Sequence, residues 1–492
     1  MKEDFFQLAQ KEALTFDDIL ILPGYSEILP AQISTQISLT DNLVLNTPII
    51  SAAMDTVTEH KMAQVMAQYG GFGVIHKNMS VKSQCYEVQK VKKYESGMIL
   101  DPITLSPETP VYKALELMKK HSISGVPITK NNQLEGILTN RDLRFETKMD
   151  QPVSSIMTPK EKLVTAKEGI NLEQAKEVLH KHRIEKLPVM DEKGFLKGLI
   201  TIKDIEKAMA FPHATKDPHG RLFVGAAVGT GSEEKHRAES LIRAEVDLLC
   251  VDTAHGLSKN VIEMAAFLKT RYSGIVLMVG NVATEKGAVA LADAGADIIK
   301  VGMGPGSICT TRVVSGVGVP QVNAILNCAK ALKKKGKTLV ADGGLKHSGD
   351  LTKAIALGAQ AAMVGNILAG SDESPGEIVL YRGRAYKAYR GMGSLGAMKK
   401  GSKDRYRQEN VFVSDKIVPE GVEGRVPYRG SASHILYQMA GGLKAGMGYI
   451  GAKNINDFQK KSNFIKVSSK SFSESHIHDV SITKEAPNYR LE

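Results

Sequence analysis

At 492 residues the chain is longer than one ordinary domain and can bury a large core, so two domains are expected. Hydrophobic residues at 42% and charged residues at 24% exclude a disordered or fibrous chain, and 45 glycines with no tryptophan point to many tight turns around an aliphatic core. A formal charge of +11, from 64 Lys and Arg against 53 Asp and Glu, suits phosphorylated ligands, but the basic residues are dispersed and nucleic acid is not an expected partner.

The first residues lack the apolar core of a signal peptide, and no stretch approaches the roughly 18 to 20 apolar residues that span a bilayer. Four separated cysteines, Cys85, Cys250, Cys309 and Cys328, form no CxxC pair and imply a reducing compartment. A soluble, cytoplasmic protein with no membrane partner is expected.

In chain order, short runs rich in Val, Ile and Ala begin at 48–53 and 72–77. A repeat then intervenes. Ala114 matches Ala175, Pro127 matches Pro188, Gly136 matches Gly198 and Asp142 matches Asp204, an offset of 61 or 62 residues. Each unit reads as helix, strand, turn, strand, helix, and two half-buried units can cover each other. The apolar runs resume at 224–228, 248–254, 275–281, 297–302, 338–344 and 361–366, with amphipathic helical stretches between them. Eight such runs predict an α/β fold, a closed (β/α)8 TIM barrel interrupted after its second unit. The basic run at Lys333, Lys334, Lys335 and Lys337 reads as a solvated helix end.

Functional residues of such barrels gather where the strands end. Met54 and Asp55, His76 to Asn78, Asp252 and His255, Asn281, Asp342 with Gly343 and Gly344, and Gly365 with Asn366 all fall there. So does the segment Gly302 to Arg312, where three glycines within five residues precede Ser307, Cys309, Thr310, Thr311 and Arg312. Its backbone can approach a ligand closely. A thiol stays mostly protonated at neutral pH unless backbone N–H groups or a cation stabilise the anion, and this loop with Arg312 offers both, so Cys309 is the candidate nucleophile. The other three cysteines lie in apolar or helical patterns and read as small buried hydrophobes. Glycine turns at 342–344, 365–366 and 389–394 qualify as a phosphate cradle.

The repeat at 95–208 resembles a tandem pair of CBS domains, modules that bind adenine or guanine nucleotides between their halves. That resemblance places a ribose on Thr139 with Asp142 and on Thr201 with Asp204. The plainer reading of the same residues is a helix cap, and both stay open.

GSICTTR at 306–312, VADGG at 340–344, YRGMGS at 389–394, DRYRQ at 404–408 and EGVEGRVPY at 420–428 together resemble the inosine monophosphate dehydrogenase and guanosine monophosphate reductase family. The segments at 14–26, 47–58 and 75–78 match as well, and a CBS pair inside the barrel is that family's usual layout. The resemblance implies a barrel in two parts, 1–94 and 209–492, around the insert, with a mobile flap at about 395–425. It implies NAD-dependent oxidation of inosine monophosphate (IMP) to xanthosine monophosphate (XMP), the committed step toward guanine nucleotides, through a covalent bond from Cys309 to C2 of the base. Thr311, Arg405 and Tyr406 complete the catalytic set, the last two activating the water that releases product. Arginine is an awkward base, and relay from Thr311 through Glu420 is a second route.

IMP is expected on Met54, Ser307, Asp342, Gly344, Gly365, Asn366, Tyr389, Gly391, Met392, Gly393 and Glu420, and NAD on Asp252, Asn281 and Gly302. The resemblance also implies a potassium ion on carbonyls of Gly304, Gly306 and Cys309, completed by Glu474, Ser475 and His476 of a neighbouring subunit. At least a homotetramer follows, with an octamer open. Asn366 stands where relatives often have Ser, and Ala52 where some carry a hydroxyl. No GxGxxG follows a strand, and the Lys333–Thr338 stretch fails as a P-loop because Ala331 occupies its first glycine position. The rivals are a guanosine monophosphate reductase using NADPH, against which the insert and Arg405–Tyr406 argue, and an inactive nucleotide-sensing barrel.

Overall fold

The computed structural model describes residues 12–94, 98–100, 102–121, 123–406, 408, 413 and 416–489, with the backbone alone at Leu100, Leu172, Asp204, Lys207 and Ala208. All eight apolar runs are strands. They are Ile49–Ser51, Phe72–Ile75, Val224–Val228, Leu248–Asp252, Val276–Val282, Ile298–Val301, Thr338–Asp342 and Ala361–Val364, each parallel to its neighbours, and the last closes on the first. Parallel strands covered on both faces need side chains that tolerate burial everywhere, which is why the runs are continuous rather than alternating.

Every second side chain points into the barrel. Phe72 and Val74, Leu248 and Cys250, Met278, Ile298, Val340, and Ala361 and Met363 form one buried cluster. Leu39, Leu43 and Leu45, from the hairpin of Ile37–Thr40 and Leu43–Leu45, join it. Because Thr338, the first residue of its strand, bonds the Leu39 carbonyl, this hairpin covers the end where the strands begin. The opposite end is left for a ligand.

Local chemistry sets the helix limits. The Thr284 hydroxyl accepts from Gly287 N at the start of Glu285–Asp293. Helix Gln321–Lys335 stops at Gly336, whose φ of +63° suits a residue without a Cβ, and its last turn holds Lys333, Lys334 and Lys335 beside the carbonyl end of the helix dipole. The basic run is thus a helix terminus.

The chain divides into two compact units, one formed by residues up to Lys93 with His213–Thr215 and Leu222–Glu492, the other by Tyr94–Pro212 with Lys216–Arg221. The second unit carries two cores. Ala114, Met118, Val126, Ile128, Leu138 and Leu143 belong to one, and Ala175, Leu179, Leu187, Val189, Ile200 and Ile205 to the other. These are the same positions displaced by 61 or 62, so the sequence repeat is a repeat of packing. Each core sits on an antiparallel hairpin, Gly125–Lys130 with Gln133–Thr139 and Lys186–Met190 with Leu196–Thr201. Asn131 and Asn132, both at positive φ, make the first turn. Thr139 N and Oγ1 both donate to Asp142 Oδ2, at 2.7 and 2.8 Å, so this half realises the helix cap. In the second half the Asp204 side chain lies outside the described residues.

Gly302 offers a test of the barrel rim. Its φ is +151°, and a Cβ there would lie 2.0 Å from the Asp342 carbonyl oxygen. Gly302→Ala is expected to cost roughly 2 to 4 kcal/mol, read as a lower urea midpoint at unchanged slope. An unchanged midpoint would show that the two loops separate freely.

Candidate functional site

Period-two alternation that fills the barrel with aliphatic groups turns charged at the open end. Asp252 follows Leu248 and Cys250 inward, Lys300 follows Ile298, and Asp342 follows Val340. Lys300 is 1% exposed, and its Nζ lies 2.6 Å from Asp252 Oδ1 and 2.7 Å from Asp342 Oδ2. Asn281 Nδ2 donates to the same Asp342 oxygen and to the Gly302 carbonyl, both at 2.8 Å. Asp342 Oδ1 makes no hydrogen bond among the described residues. Gly280 makes room for this arrangement, since a Cβ there would meet Lys300 Cβ at 2.6 Å.

Above this cluster opens a cleft at the ends of the barrel strands, with polar and apolar groups converging on it. Its walls include Met54, Asp252, Asn281, Lys300, Gly302, Gly304, Gly306, Cys309, Thr311, Asp342, Gly343, Tyr389, Gly391, Met392, Gly393, Arg405, Tyr406 and Glu420. The expected catalytic residues and all three residues expected to meet NAD are therefore in one wall. Lys300 was not expected there. A lysine within an apolar strand is easily taken for a surface position, and only the alternation with Ile298 marks it as inward.

Cys309 Sγ donates to Thr311 Oγ1 at 3.1 Å. The loop is tied across to the Glu420 segment by Thr310 N to the Glu420 carbonyl at 3.0 Å and Val422 N to the Ile308 carbonyl at 3.1 Å. The Arg312 charge is within electrostatic reach of Cys309, as expected, but its N–H groups are engaged elsewhere. Its Nε and Nη2 donate to the carbonyls of Met303 and Val319, at 3.0 and 2.6 Å, so it closes the base of the loop and the direct partner of the sulfur is Thr311. No hydrogen bond joins Thr311 to the Glu420 side chain among the described residues. Burial pushes the Cys250 and Cys328 thiols up to about 11 and about 12 and also raises Cys85, so all three stay protonated at neutral pH.

The expected phosphate residues form an adjoining patch. Asn366 Nδ2 donates to Ser307 Oγ at 2.9 Å, and a Cβ on Gly365 would sit 3.1 Å from both Met54 Sδ and Tyr389 Oη. Burial lifts the Tyr389 phenol to about 12, against a hydrogen bond with Ser307 that lowers it. Gly344 is outside the cleft wall, where its neighbour Gly343 stands instead; Gly344 packs toward Pro305 and Gln321. Glu474, Ser475 and His476 are also outside it. In the single chain the His476 ring packs against Phe472, His347 and Tyr489.

The segment Ser402–Tyr406 brings Arg405 and Tyr406 into the cleft that Cys309 lines. Arg405 forms an ion pair with Asp252, and its backbone carbonyl accepts from Ala254 N at 3.1 Å. Arg405 Nε has no hydrogen-bond partner among the described residues. A Cβ on Gly393 would lie 2.7 Å from Tyr406 Cζ, so only glycine admits that ring. Burial raises the Tyr406 phenol above its usual value, while the Arg405 cation pulls it down. Ser402 Oγ donates to the Met392 carbonyl at 2.5 Å, and Lys77 Nζ reaches Asp404 Oδ1 and Oδ2 at 2.5 and 2.7 Å. Of the expected flap, residues 407, 409–412 and 414–415 lie outside the described residues.

Comparison with known proteins agrees with this geometry. The family model described as the IMP dehydrogenase / GMP reductase domain matches residues 13–478. Inosine-5'-monophosphate dehydrogenase of Aquifex aeolicus is 54% identical over 483 residues, 97% of this chain and 98% of the relative, and that of Streptococcus pyogenes is 54% identical over 484 residues, 98% of each. A crystal structure of a cysteine-to-alanine variant of GMP reductase from Trypanosoma brucei, in complex with guanosine 5'-monophosphate, superposes with a TM-score of 0.87 at 37% identity, covering 97% of this chain and 100% of its own. Coverage of 97% leaves no room for an alignment that skips residues 95–208, so the inserted segment does not by itself argue against a reductase. The chain belongs to the IMP dehydrogenase / GMP reductase family.

Proposed function

We propose that the protein is a cytoplasmic NAD-dependent oxidoreductase that converts IMP to XMP, the step committing purine synthesis to guanine nucleotides. The observation that carries this reading is that one cleft wall holds Cys309, Asp342 and the Arg405–Tyr406 pair. Relatives at 54% identity that bear the dehydrogenase name support it over reduction of guanosine monophosphate.

Cys309 Sγ adds to C2 of the hypoxanthine ring as the C2–N3 double bond opens, and N3 takes up the proton that the sulfur, hydrogen-bonded to Thr311 Oγ1, gives up. Addition makes C2 tetrahedral, so its hydrogen can leave with the electron pair, which an aromatic C–H cannot do. NAD supplies the acceptor for that hydride. Asn281 fits such a dinucleotide because its buried Oδ1 has no hydrogen-bond partner, leaving an acceptor for an amide or hydroxyl group. Water then adds at C2 and the C2–S bond breaks, so that IMP, NAD and water give XMP, NADH and a proton with the thiol restored. Arg405 Nε is an unengaged donor for that water, and the neutral Tyr406 phenol orients it rather than taking its proton.

Asp342 Oδ1 suits the ribose diol, because Oδ2 is already tied to Lys300 and Asn281. The phosphate is assigned to Ser307, Gly344, Gly365, Asn366, Tyr389, Gly391 and Gly393, and the base to Met54, Met392 and Glu420. The chain is organised as a barrel of 1–94 and 209–492 around a CBS pair at 95–208. Carbonyls of Gly304, Gly306 and Cys309 would hold potassium, an oxygen set suited to a hard cation, with Glu474, Ser475 and His476 of a neighbouring subunit completing it. The working form is then at least a homotetramer.

Mixing the protein with IMP and NAD should produce NADH absorbance, and Cys309→Ala should lower turnover at least about a thousand-fold while IMP affinity stays within a few-fold. No NADH, alongside NADPH consumed with guanosine monophosphate, would make it a reductase. Exchanging potassium for lithium should depress turnover reversibly; equal rates in both salts would remove the cation from the scheme. With Asp142 Oδ2 held by Thr139, Oδ1 is the oxygen left for a ribose, and saturating ATP or GTP should change assembly as read by small-angle scattering. Superimposable profiles with and without nucleotide would leave that pair a helix cap only.

A further inference from the structure

Lys77 plays no part in the scheme above and lines no wall of the cleft, yet it is among the best buried cations of the barrel unit, with a side chain 7% exposed. It follows the strand Phe72–Ile75 on a loop whose backbone is fixed. Asn78 N donates to His76 Nδ1 at 3.1 Å, and Asn78 Nδ2 donates to Asp55 Oδ2 at 2.6 Å. From that anchored position Nζ reaches both carboxylate oxygens of Asp404, which is 327 residues away in sequence and immediately precedes Arg405.

The surroundings are built for this contact. A Cβ on Gly229 would lie 2.1 Å from Asp404 Oδ2, so the carboxylate occupies a notch that exists only because position 229 is glycine. The nearby Glu234 carboxylate is already committed, accepting from Gly229 N at 2.6 Å and from Arg237 Nε at 3.0 Å. Asp404 is therefore the carboxylate that neutralises Lys77. When the segment 402–406 leaves, a buried ammonium loses its counter-ion, and that loss favours the docked state.

Docking matters because two steps need the same space. Resting on the proposed reaction, Asp252 and the floor beneath it must receive the dinucleotide during hydride transfer and Arg405 during hydrolysis. The geometry points to Lys77 as a positioning residue: by pairing with Asp404 it sets how much of the time Ser402–Tyr406 stays docked in the cleft that Cys309 lines. It thereby governs the hydrolytic step and not the hydride step. Lys77 touches neither the reacting atoms nor Asp252, so it biases the equilibrium without altering the site it leads to.

The test uses the full chain, with Lys77→Met, Asp404→Asn, the double variant and Lys77→Arg, mixed rapidly with IMP and NAD while NADH absorbance is followed. The expected result for either neutral variant is a stoichiometric NADH burst at a rate within about two-fold of the parent, followed by a steady rate about ten-fold lower. The double variant should be no slower than the worse single one, because the two changes remove one interaction, and Lys77→Arg should recover most of the steady rate. NADH titrated by fluorescence into enzyme saturated with XMP should bind several-fold tighter in the neutral variants, since Arg405 competes less. Equal losses in burst and steady phases, additive effects, or unchanged NADH affinity would each reduce Lys77 to a structural role. If Lys77→Met does not fold, Asp404→Asn carries the same comparison from the segment side. Absence of NADH from the unaltered protein would instead refute the reaction, and this inference with it.

Discussion

The site is organised around one ammonium group. Lys300 lies inside the barrel between Asp252 and Asp342, and these three residues, with Asn281, fix the floor on which any ligand must sit. A buried ion triad is weak evidence for stability, because desolvating the charges offsets most of their attraction. Its consequence here is directional. By occupying Oδ1 of Asp252 and Oδ2 of Asp342, Lys300 leaves one oxygen of each carboxylate facing outward, the former now engaged by Arg405 and the latter without a partner among the described residues. Two carboxylates in a water-poor barrel would otherwise repel each other. Backbone concessions at Gly280 and Gly302 follow from fitting this cluster between adjacent strands.

From that floor the two stages of the chemistry make opposed demands. In the proposed reaction a hydride acceptor must stand against the base while Cys309 is bonded to it, and a water-orienting group must stand there afterwards. The Arg405–Asp252 pair is the contact at issue, since the guanidinium holds an oxygen that a dinucleotide would use. A segment that alternates in this way cannot be bound tightly in either state, because about 5.5 kcal/mol is enough to move a population from 1:99 to 99:1. The segment accordingly rests on several modest contacts: Ser402 on the Met392 carbonyl, Tyr406 against Gly393, and Arg405 on Asp252. Met392 and Gly393 share one loop, while Asp252 and Lys77, the partner of Asp404, stand at the ends of two other strands, so docking reports whether these parts of the mouth are assembled.

What was legible in the sequence follows physical rules. Eight buried parallel strands announce themselves as continuous apolar runs, and the repeat at 61 or 62 residues survives because both copies must fill equivalent cores. Cys309, Asp342 and the glycine turns were visible because strand ends of a barrel concentrate polar and flexible residues in a predictable place. Lys300 escaped notice because one charge within Ile-Ile-Lys-Val does not disturb a run that reads as apolar. Nearness in sequence correctly puts the Arg312 charge within reach of Cys309, but it does not reveal that the guanidinium N–H groups donate to the carbonyls of Met303 and Val319. Lys77 and Asp404 are separated by 327 residues, and no local pattern joins them.

The likeness to both a dehydrogenase and a reductase shows where family function is decided. If Cys309 bonds to C2 and Asp342 holds the ribose as proposed, barrel, cysteine loop and aspartate serve to bind a purine nucleotide and do not determine what becomes of the adduct. Neither does the inserted unit, because the superposition with a GMP reductase extends across 97% of this chain. The outcome depends on what stands beside C2 once the sulfur is attached. A reductive enzyme needs the dinucleotide to remain, and an oxidative one needs it to leave and water to arrive. On the proposed reading, the contacts of Asp252, Gly393, the Met392 carbonyl and Lys77 with Ser402–Tyr406 serve to place Arg405 and Tyr406 in the cleft with Cys309 once the dinucleotide has left. The residues that favour oxidation therefore lie mainly in the surfaces that hold the docked segment, not in the nucleophile.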